Sequence, residues 1–380
     1  MWSCYVFNIS LAILAYILAG YPIIIYIKSR FNPAPVKRES SLRPFSVILC
    51  ARNEEIHIRN RLDNLLAMDY PPDLYEIIVV SDGSTDETDK IVQAYADKSI
   101  KLVRLGVPGG KAAALNAGIQ QAAHDILLLC DARQHFQPDV ARRLVSYFGD
   151  TTVGAVSGRL IICPPSETSA ASGVSPYWNY EVKLRSSEAI SDSVIGATGA
   201  IYAFRKALFK ELPEGTVLDD VLIPMRIVLQ GKRVLYDDAA IALDEKPVTN
   251  ENELTRKVRT LYGNLQLYRI APELFSPIGN RLWWRFISHK MLRLMLPFLF
   301  IICLFSSLFA GGGLSLLGIA QLCCWIASFL AWKIGATGCL GRALSSLLLL
   351  NAAVVIAWYR FLTGRNDVWK ASSSHHSIVN

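Results

Sequence analysis

Carboxylates recur in this sequence at one kind of position, directly after a short apolar run. Phe45-Ser-Val-Ile-Leu-Cys50 leads into Ala51-Arg-Asn-Glu-Glu55, Glu76-Ile-Ile-Val-Val-Ser81 into Asp82-Gly-Ser-Thr-Asp86, and Asp125-Ile-Leu-Leu-Leu-Cys130 into Asp131-Ala-Arg133. Acids gathered at neighbouring sites repel unless they share a cation or a hydrogen-bonded ligand, and hard carboxylate oxygens suit Mg2+ or Mn2+. Gly106-Val-Pro-Gly-Gly-Lys111 adds a glycine-rich turn with a lysine at a helix start, a place for a diphosphate. It is not a Walker A loop, because Leu105 stands where the first glycine is required and Ala112 where Ser or Thr is required. No G-x-G-x-x-G follows the first apolar run, so neither an ATPase nor a dinucleotide-dependent dehydrogenase is supported. The Asp82 to Asp86 run has a second reading as a capped loop, with Ser84-x-x-Glu87 as the capping box of the next helix.

The elements that must position these acids follow from the hydropathy pattern. The three runs, with Lys101-Leu-Val-Arg-Leu105, are short and continuously apolar, as strands buried on both faces are. Helical patterns separate them at about 54–67, 86–98, 110–123 and 138–149. The alternation predicts an α/β fold with a mostly parallel, doubly wound sheet over residues 39–273. In such sheets ligands bind beyond the carboxyl ends of the strands, where the acids lie.

The rest of the chain is of another kind. Of 380 residues 52% are apolar and 19% charged, against about 25% charged in ordinary soluble proteins. Neither Met1 to Ile27 nor Leu294 to Trp332 contains an Asp, Glu, Lys or Arg, which excludes a purely soluble protein. Residues 1–30 are expected to be an uncleaved transmembrane anchor, since they lack the basic start of a signal peptide, and Lys28, Arg30, Lys37 and Arg38 put the chain beyond the anchor in the cytoplasm. About three further spans are expected within 294–363, near 294–312, 314–332 and 343–362, and a polar tail at 364–380. Residues 274–293, whose Arg281 to Arg293 stretch mixes bases with Trp283 and Trp284, fit an interfacial amphipathic helix against membrane lipids. Four spans would put the C-terminus opposite the cytoplasm, whereas Arg360, Arg365 and Lys370 favour the cytoplasmic side; a re-entrant or interfacial segment would reconcile the two.

Net charge divides the same way. Residues 39–273 hold 31 acids and 26 bases, while the remainder holds 13 bases and one acid, Asp367. The basic excess therefore flanks the apolar segments, as an anionic bilayer surface favours, and nucleic acid is not an expected partner. Eight cysteines without C-x-x-C spacing read as free thiols in a reducing compartment, and six scattered histidines suggest no zinc site.

Val47-Ile-Leu-Cys-Ala-Arg-Asn-Glu-Glu55, Glu76 to Asp86, Gly110-Lys-Ala-Ala-Ala-Leu-Asn116 and Leu218-Asp-Asp-Val221 occur in an order and spacing that resemble the membrane-bound family 2 glycosyltransferases, the cellulose, hyaluronan and poly-N-acetylglucosamine synthase-like enzymes. The resemblance covers roughly residues 45–270. It implies a GT-A fold, a nucleotide-diphosphate sugar donor, a UDP-sugar first among them, a Mg2+ or Mn2+ cofactor and inversion at the anomeric carbon. It further implies that Ala51, Arg52, Asn53, Glu54 and Asp82 contact base and ribose, that Lys111 faces the nucleotide or phosphates, and that Asp131 ligates the metal. At Arg133, where this sequence departs from the family's second carboxylate, either the guanidinium contacts a phosphate or a weaker metal site is completed by other groups. Asp220 corresponds to the catalytic carboxylate of the family's Thr-Glu-Asp motif, with Arg226 and Gly231 at the family's spacing; Asp219 stands where the family has Glu. Thr198 and Gly199 would lie near the acceptor entrance, with Arg256 and Arg259 on the acceptor and diphosphate side.

Two departures bear on the expectation. Asp131-Ala-Arg133 leaves one carboxylate where the family's Asp-x-Asp has two, and Arg256-Lys-Val-Arg-Thr260 keeps only Arg259 of the family's Gln-x-x-Arg-Trp. The expected function is an inverting glycosyltransferase of the inner membrane, its catalytic domain cytoplasmic, acting in synthesis of a polysaccharide or lipid-linked glycan, with polysaccharide export proteins as possible partners. The alternatives are a non-processive glycolipid glycosyltransferase and a non-catalytic scaffold that binds a nucleotide sugar.

Overall fold

The structure, a computed structural model, describes residues 2–96, 99–162, 176–244, 250–336 and 338–364. Cys163 and the tail beyond Gly364, with Arg365, Lys370, His375 and His376, lie outside the described residues. The chain divides into two compact units, one of residues 24–247 and 276–283, the other of residues 1–23, 248–275 and 284–380.

The chain begins with α1 (Trp2–Ala15) and α2 (Tyr21–Phe31), joined through a π-helical turn at Tyr16–Gly20. The first unit then builds an eight-stranded sheet in the order β3-β2-β1-β4-β7-β6-β8-β5. Its strands are β1 (Phe45–Ala51), β2 (Tyr75–Ser81), β3 (Ile100–Arg104), β4 (Ile126–Cys130), β5 (His135–Phe136), β6 (Val153–Ile162), β7 (Ile201–Arg205) and β8 (Arg233–Asp244). β1 pairs in parallel with β2 and β4, β2 with β3, and β6 with β8; only β7 and β5 run against their neighbours. The mostly parallel α/β sheet expected from the alternating pattern is thus present. Its central strands bury nearly every residue because helices cover both faces.

The connecting helices are α3 (Ile58–Leu66), α4 (Thr88–Gln93), α5 (Gly110–Gln121), α6 (Val140–Val145), α7 (Pro176–Ser191) and α8 (Asp219–Leu229). α3 starts four residues later than its apolar period suggests, because residues 53–55 are tied to the loop after β2. The Asn53 amide donates to Ser84 Oγ (3.2 Å), Glu54 N to Thr88 Oγ1 (2.8 Å) and Glu55 N to Asp86 Oδ2 (3.0 Å). Asn53 takes a positive φ of 53° for this, a conformation Asn tolerates better than most residues. The capping box read from Ser84 and Glu87 does not form. Ser84 Oγ is taken up by Asn53 N and Ser81, and Thr88 N donates instead to Asp86 Oδ1 (3.0 Å), so Asp86 caps α4.

Helix α5 lies on the sheet at the strands that carry the acids. A Cβ at Gly118 would sit 2.7 Å from Val80 Cγ2 and 2.9 Å from Ile48 Cγ2, so the absence of a side chain sets how closely α5 approaches β1 and β2. Gly118→Ala is expected to destabilise the sheet unit by about 1–3 kcal/mol through overpacking, despite Ala's better helix propensity. A thermal unfolding comparison checks it, and an unchanged or raised midpoint would refute it.

The second unit is helical. It contains α1, α9 (Asn250–Ile270), the short α10 (Trp283–Phe286), α11 (Leu296–Ala310), α12 (Gly313–Lys333) and α13 (Cys339–Thr363). α1 packs on α11 through Phe7, Leu14 and Cys303, and α9 packs on α13, where Arg269 lies 4.1 Å from the Phe361 ring. Among the described residues four helices are long and apolar enough to cross a membrane: Trp2–Phe31, Trp283–Ala310, Gly313–Lys333 and Leu340–Thr363. The stretch expected at the head-group layer runs on into α11 through π and 3-10 turns, with Ser288 bonded to Tyr16 Oη at 2.7 Å. Gly311 and Gly312, both at positive φ, make the sharp break before α12.

Candidate active site

The carboxyl ends of β1 and β4, the start of α5 and the start of α8 bring Asp131, Lys111 and Asp219 together. Lys111 Nζ lies 3.0 Å from Asp131 Oδ1 and 3.6 Å from Asp219 Oδ2. Asp131 leaves the sheet directly after β4, with its side chain 40% exposed, whereas Asp219, in the first turn of α8, is 6% exposed. One cation thus bridges an open carboxylate and a closed one, and Asp219 Oδ2 is buried without a hydrogen bond. Burial pushes the Asp219 carboxyl up to about 6; Lys111 pulls it back, and Asp220 and Asp131 add to the rise. Burial by itself would lower the Lys111 ammonium, but Asp131, Asp219 and Asp220 outweigh it and hold the lysine well above its ordinary value. Lys111 is therefore a fixed positive charge at neutral pH.

Asp220 is the other acid of this helix start, and its surroundings differ. It is half-buried, and among the described residues its carboxylate has no ion pair and no hydrogen bond. Its carbonyl accepts the Ala197 amide (2.6 Å), and a Cβ placed on Gly199 would lie 3.3 Å from Asp220 Oδ2 and 3.4 Å from Asp220 Cβ. Only the lack of a side chain at Gly199 leaves that carboxylate its room. Gly199→Ala is expected to push it a few tenths of an ångström and lower any turnover that depends on it about tenfold, with little change in melting temperature. Unchanged turnover would show that the carboxylate tolerates the shift.

Thr198 is tied to β6: its amide donates to Ser157 Oγ (2.8 Å) and its hydroxyl to the Gly158 carbonyl (2.8 Å). Asp82 is also committed. Its Oδ1 accepts Gly109 N (2.6 Å) and its Oδ2 accepts Gly110 N (2.9 Å), so it caps α5. These amides, read from the sequence as a place for a diphosphate, are in this structure taken by Asp82. Ala51 is buried, Arg52 and Arg133 are exposed, and Asn53 Oδ1 accepts Thr85 N (2.8 Å) while Glu54 N bonds Thr88. Residues 51–54 are therefore the latched rim of this sheet edge. Arg226 donates to the Glu211 carbonyl (2.9 Å), and Gly231, at φ 80°, follows the end of α8. Arg256 and Arg259 lie on α9 of the helical unit and are not among the residues that the sheet unit gathers.

Three polar residues of the sheet unit escaped the sequence reading. Arg61 is fully buried, donates to the Gln134 carbonyl (2.7 Å) and stacks 4.0 Å from Phe136, bracing the loop that carries Asp131 and Arg133. Its position between Ile58 and Leu62 on the apolar face of α3 was the available signal. Tyr202, opposite Leu129 in the β4–β7 ladder, buries its hydroxyl without a hydrogen bond; burial, then Asp219 and Asp220, drive its ionisation far upward. Arg185 of α7 holds the Thr198 turn and had no local signal.

No group of three or more His, Cys, Asp or Glu among the described residues could hold a metal ion alone. Asp131 offers one exposed hard oxygen, which fits a Mg2+ or Mn2+ ion that takes its other ligands from phosphates and water. It does not fit a cation caged by protein alone.

Comparison with known proteins agrees with this architecture. Residues 46–212 match the family model for Glycosyl transferase family 2. The chain is 25% identical over 260 residues to a poly-beta-1,6-N-acetyl-D-glucosamine synthase of Staphylococcus aureus, a match covering 67% of this chain and 62% of that protein. It is 36% identical over 120 residues to a beta-monoglucosyldiacylglycerol synthase of Synechocystis, covering 30% of this chain and 25% of that one. The chain thus spans less than two thirds of the length of these curated relatives. A mannosyltransferase from Pyrobaculum calidifontis, solved with GDP-Man and Mn2+, has the same fold, with a TM-score of 0.74 at 23% identity over 95% of this chain and 99% of that one. Residues 46–212 are therefore similar to glycosyl transferase family 2, and the sheet unit has a GT-A type fold.

Proposed function

We propose that this chain is an inverting membrane glycosyltransferase that moves a sugar from a nucleotide-diphosphate sugar, a UDP-sugar first among candidates, to a hydroxyl of a polysaccharide or lipid-linked glycan acceptor. The observation that supports it most is the contrast at the start of α8, where Asp219 is tied into the Lys111 cluster and Asp220 keeps its carboxylate free against Gly199. Asp220 takes the proton of the acceptor hydroxyl as that oxygen bonds to the anomeric carbon. On the opposite side the carbon–oxygen bond to the diphosphate breaks and its electron pair leaves with the diphosphate, so the configuration inverts. Lys111 supplies a permanent positive charge beside the leaving group. A Mg2+ or Mn2+ ion held by Asp131 with the donor diphosphate would neutralise the charge that develops there. Ala51 to Glu54 and Asp82 line the base and ribose end, and Arg133 stands in for the missing second carboxylate as a phosphate contact. The four long apolar helices support a place in the plasma membrane, with the sheet unit on the cytoplasmic side where nucleotide sugars are made.

Thr260 in place of the family's Trp favours a second reading, single-sugar transfer to a membrane lipid, and the similarity to a glycolipid synthase leans the same way. Membranes containing the full chain, incubated with labelled UDP- and GDP-sugars with Mn2+, Mg2+ or a chelator, test the proposal. A polymer or a glycolipid separates the two readings. No product from any donor, with the protein folded, would refute both and favour a non-catalytic scaffold.

A further inference from the structure

The Thr198 to Ile201 turn stands between Asp220 and a cation that the mechanism above does not use. Arg185, half-buried on α7, donates from NH1 to Thr198 Oγ1 (2.9 Å) and from NH2 to Ser157 Oγ (3.1 Å) and the Gly196 carbonyl (3.1 Å). Its guanidinium also lies 4.5 Å from the Tyr236 ring centroid. Among the described residues no carboxylate comes within ion-pair distance of it, so its charge is placed against neutral oxygens and a ring face. Such a cation adds little as an ion pair, and what it supplies is geometry: three donors of one rigid plane fix three acceptors from two elements.

The fixed acceptors lead directly to Asp220. Ser157 Oγ, on a fully buried residue of β6, accepts the Thr198 amide, and the Thr198 carbonyl accepts Ile201 N (2.8 Å), which closes the turn. The opposite side of the turn meets α8: Ala197 N donates to the Asp220 carbonyl, and a Cβ at Gly199 would press on the Asp220 carboxylate. We propose that Arg185 is a positioning residue for Asp220, holding the Gly196 to Gly199 turn as the surface that sets where the carboxylate sits relative to the acceptor hydroxyl. The inference rests on the reading of Asp220 as general base.

The test uses the full chain in membranes and compares Arg185→Met, which removes all three donors at similar length, with Arg185→Lys, which can restore one or two. Arg185→Met is expected to lower kcat for transfer by about 30- to 100-fold, the scale of a misplaced catalytic group, while donor KM and calorimetric binding of UDP or GDP, whichever the unaltered protein binds, stay within about twofold. Arg185→Lys should recover part of kcat. Added to Asp220→Asn, Arg185→Met should cost almost nothing further, because both act through one group. Unchanged kcat, nucleotide binding lost in step with kcat, or full multiplicative losses in the double variant would each overturn the proposal. Should Arg185→Met fail to fold, Thr198→Val cuts the same network without touching a charge, and it must show the same kcat-only loss. Full turnover in Asp220→Asn alone would sink the general-base reading, whatever Arg185 does.

Discussion

Asp220→Asn is expected to lower sugar transfer by about 10³-fold or more while leaving nucleotide binding and the folded yield unchanged. The amide keeps the size of the carboxylate, so its fit beside Gly199 and the backbone bond from Ala197 persist. What disappears is the proposed proton acceptor, and an alcohol that cannot shed its proton is a poor nucleophile. The carboxylate makes no ion pair or hydrogen bond among the described residues, so its removal orphans no partner and should cost little stability. Turnover in membranes beside calorimetry with UDP or GDP checks both halves of the statement. Retained turnover would remove Asp220 from the mechanism; lost nucleotide binding would make it a donor-site residue.

Lys111→Met should act on both stability and activity, and its stability effect should depend on pH. The substitution removes the cation that bridges Asp131 and Asp219, leaving a closed carboxylate with like charges beside it. Asp219, already raised to about 6, would rise further. Its folded pKa lies above the ordinary value of 3.8, so the folded chain holds a proton that the unfolded chain releases. Stability therefore falls as pH climbs from below 3.8 through the folded pKa. In the variant that decline extends to higher pH, so the loss relative to the unaltered protein should be about 3 kcal/mol near pH 8 and smaller near pH 5. Unfolding midpoints at the two pH values check the sign, and an equal loss at both would show that Asp219 stays ionised without the lysine. Transfer should drop by more than about 100-fold at either pH, because the charge proposed to stand beside the leaving group is gone.

The parts of the fold that were legible in the sequence are those set by local pattern. β1, β2 and β4 announce themselves as apolar runs, and Ala51 to Glu55, Asp82 and Asp131 fall at their carboxyl ends because each lies one or a few residues beyond a run. The long apolar helices are legible for the same reason. The start of α3 was misjudged because hydropathy does not register that Asn53 to Glu55 hydrogen-bond to residues some thirty positions away. Asp82 shows the limit from another side. Its type and position fit a ligand contact or a loop cap equally, and only the approach of Gly109 and Gly110 shows that it caps α5, whatever else it binds.

By itself the sequence determined which residues lie at the carboxyl edge of a parallel sheet and that four stretches suit a bilayer, because strand period, helix length and charge exclusion are properties of neighbouring residues. Tertiary structure alone decided how two adjacent acids are surrounded. Asp219 turns inward to a lysine more than a hundred residues earlier, and Asp220 has its room beside a glycine twenty-one residues before it, in a turn held by an arginine from a third helix. Consecutive residues at a helix start point about 100° apart. Which of the two meets the cation and which stays free therefore depends on what the rest of the chain packs against each side, and that is not written in the residues themselves.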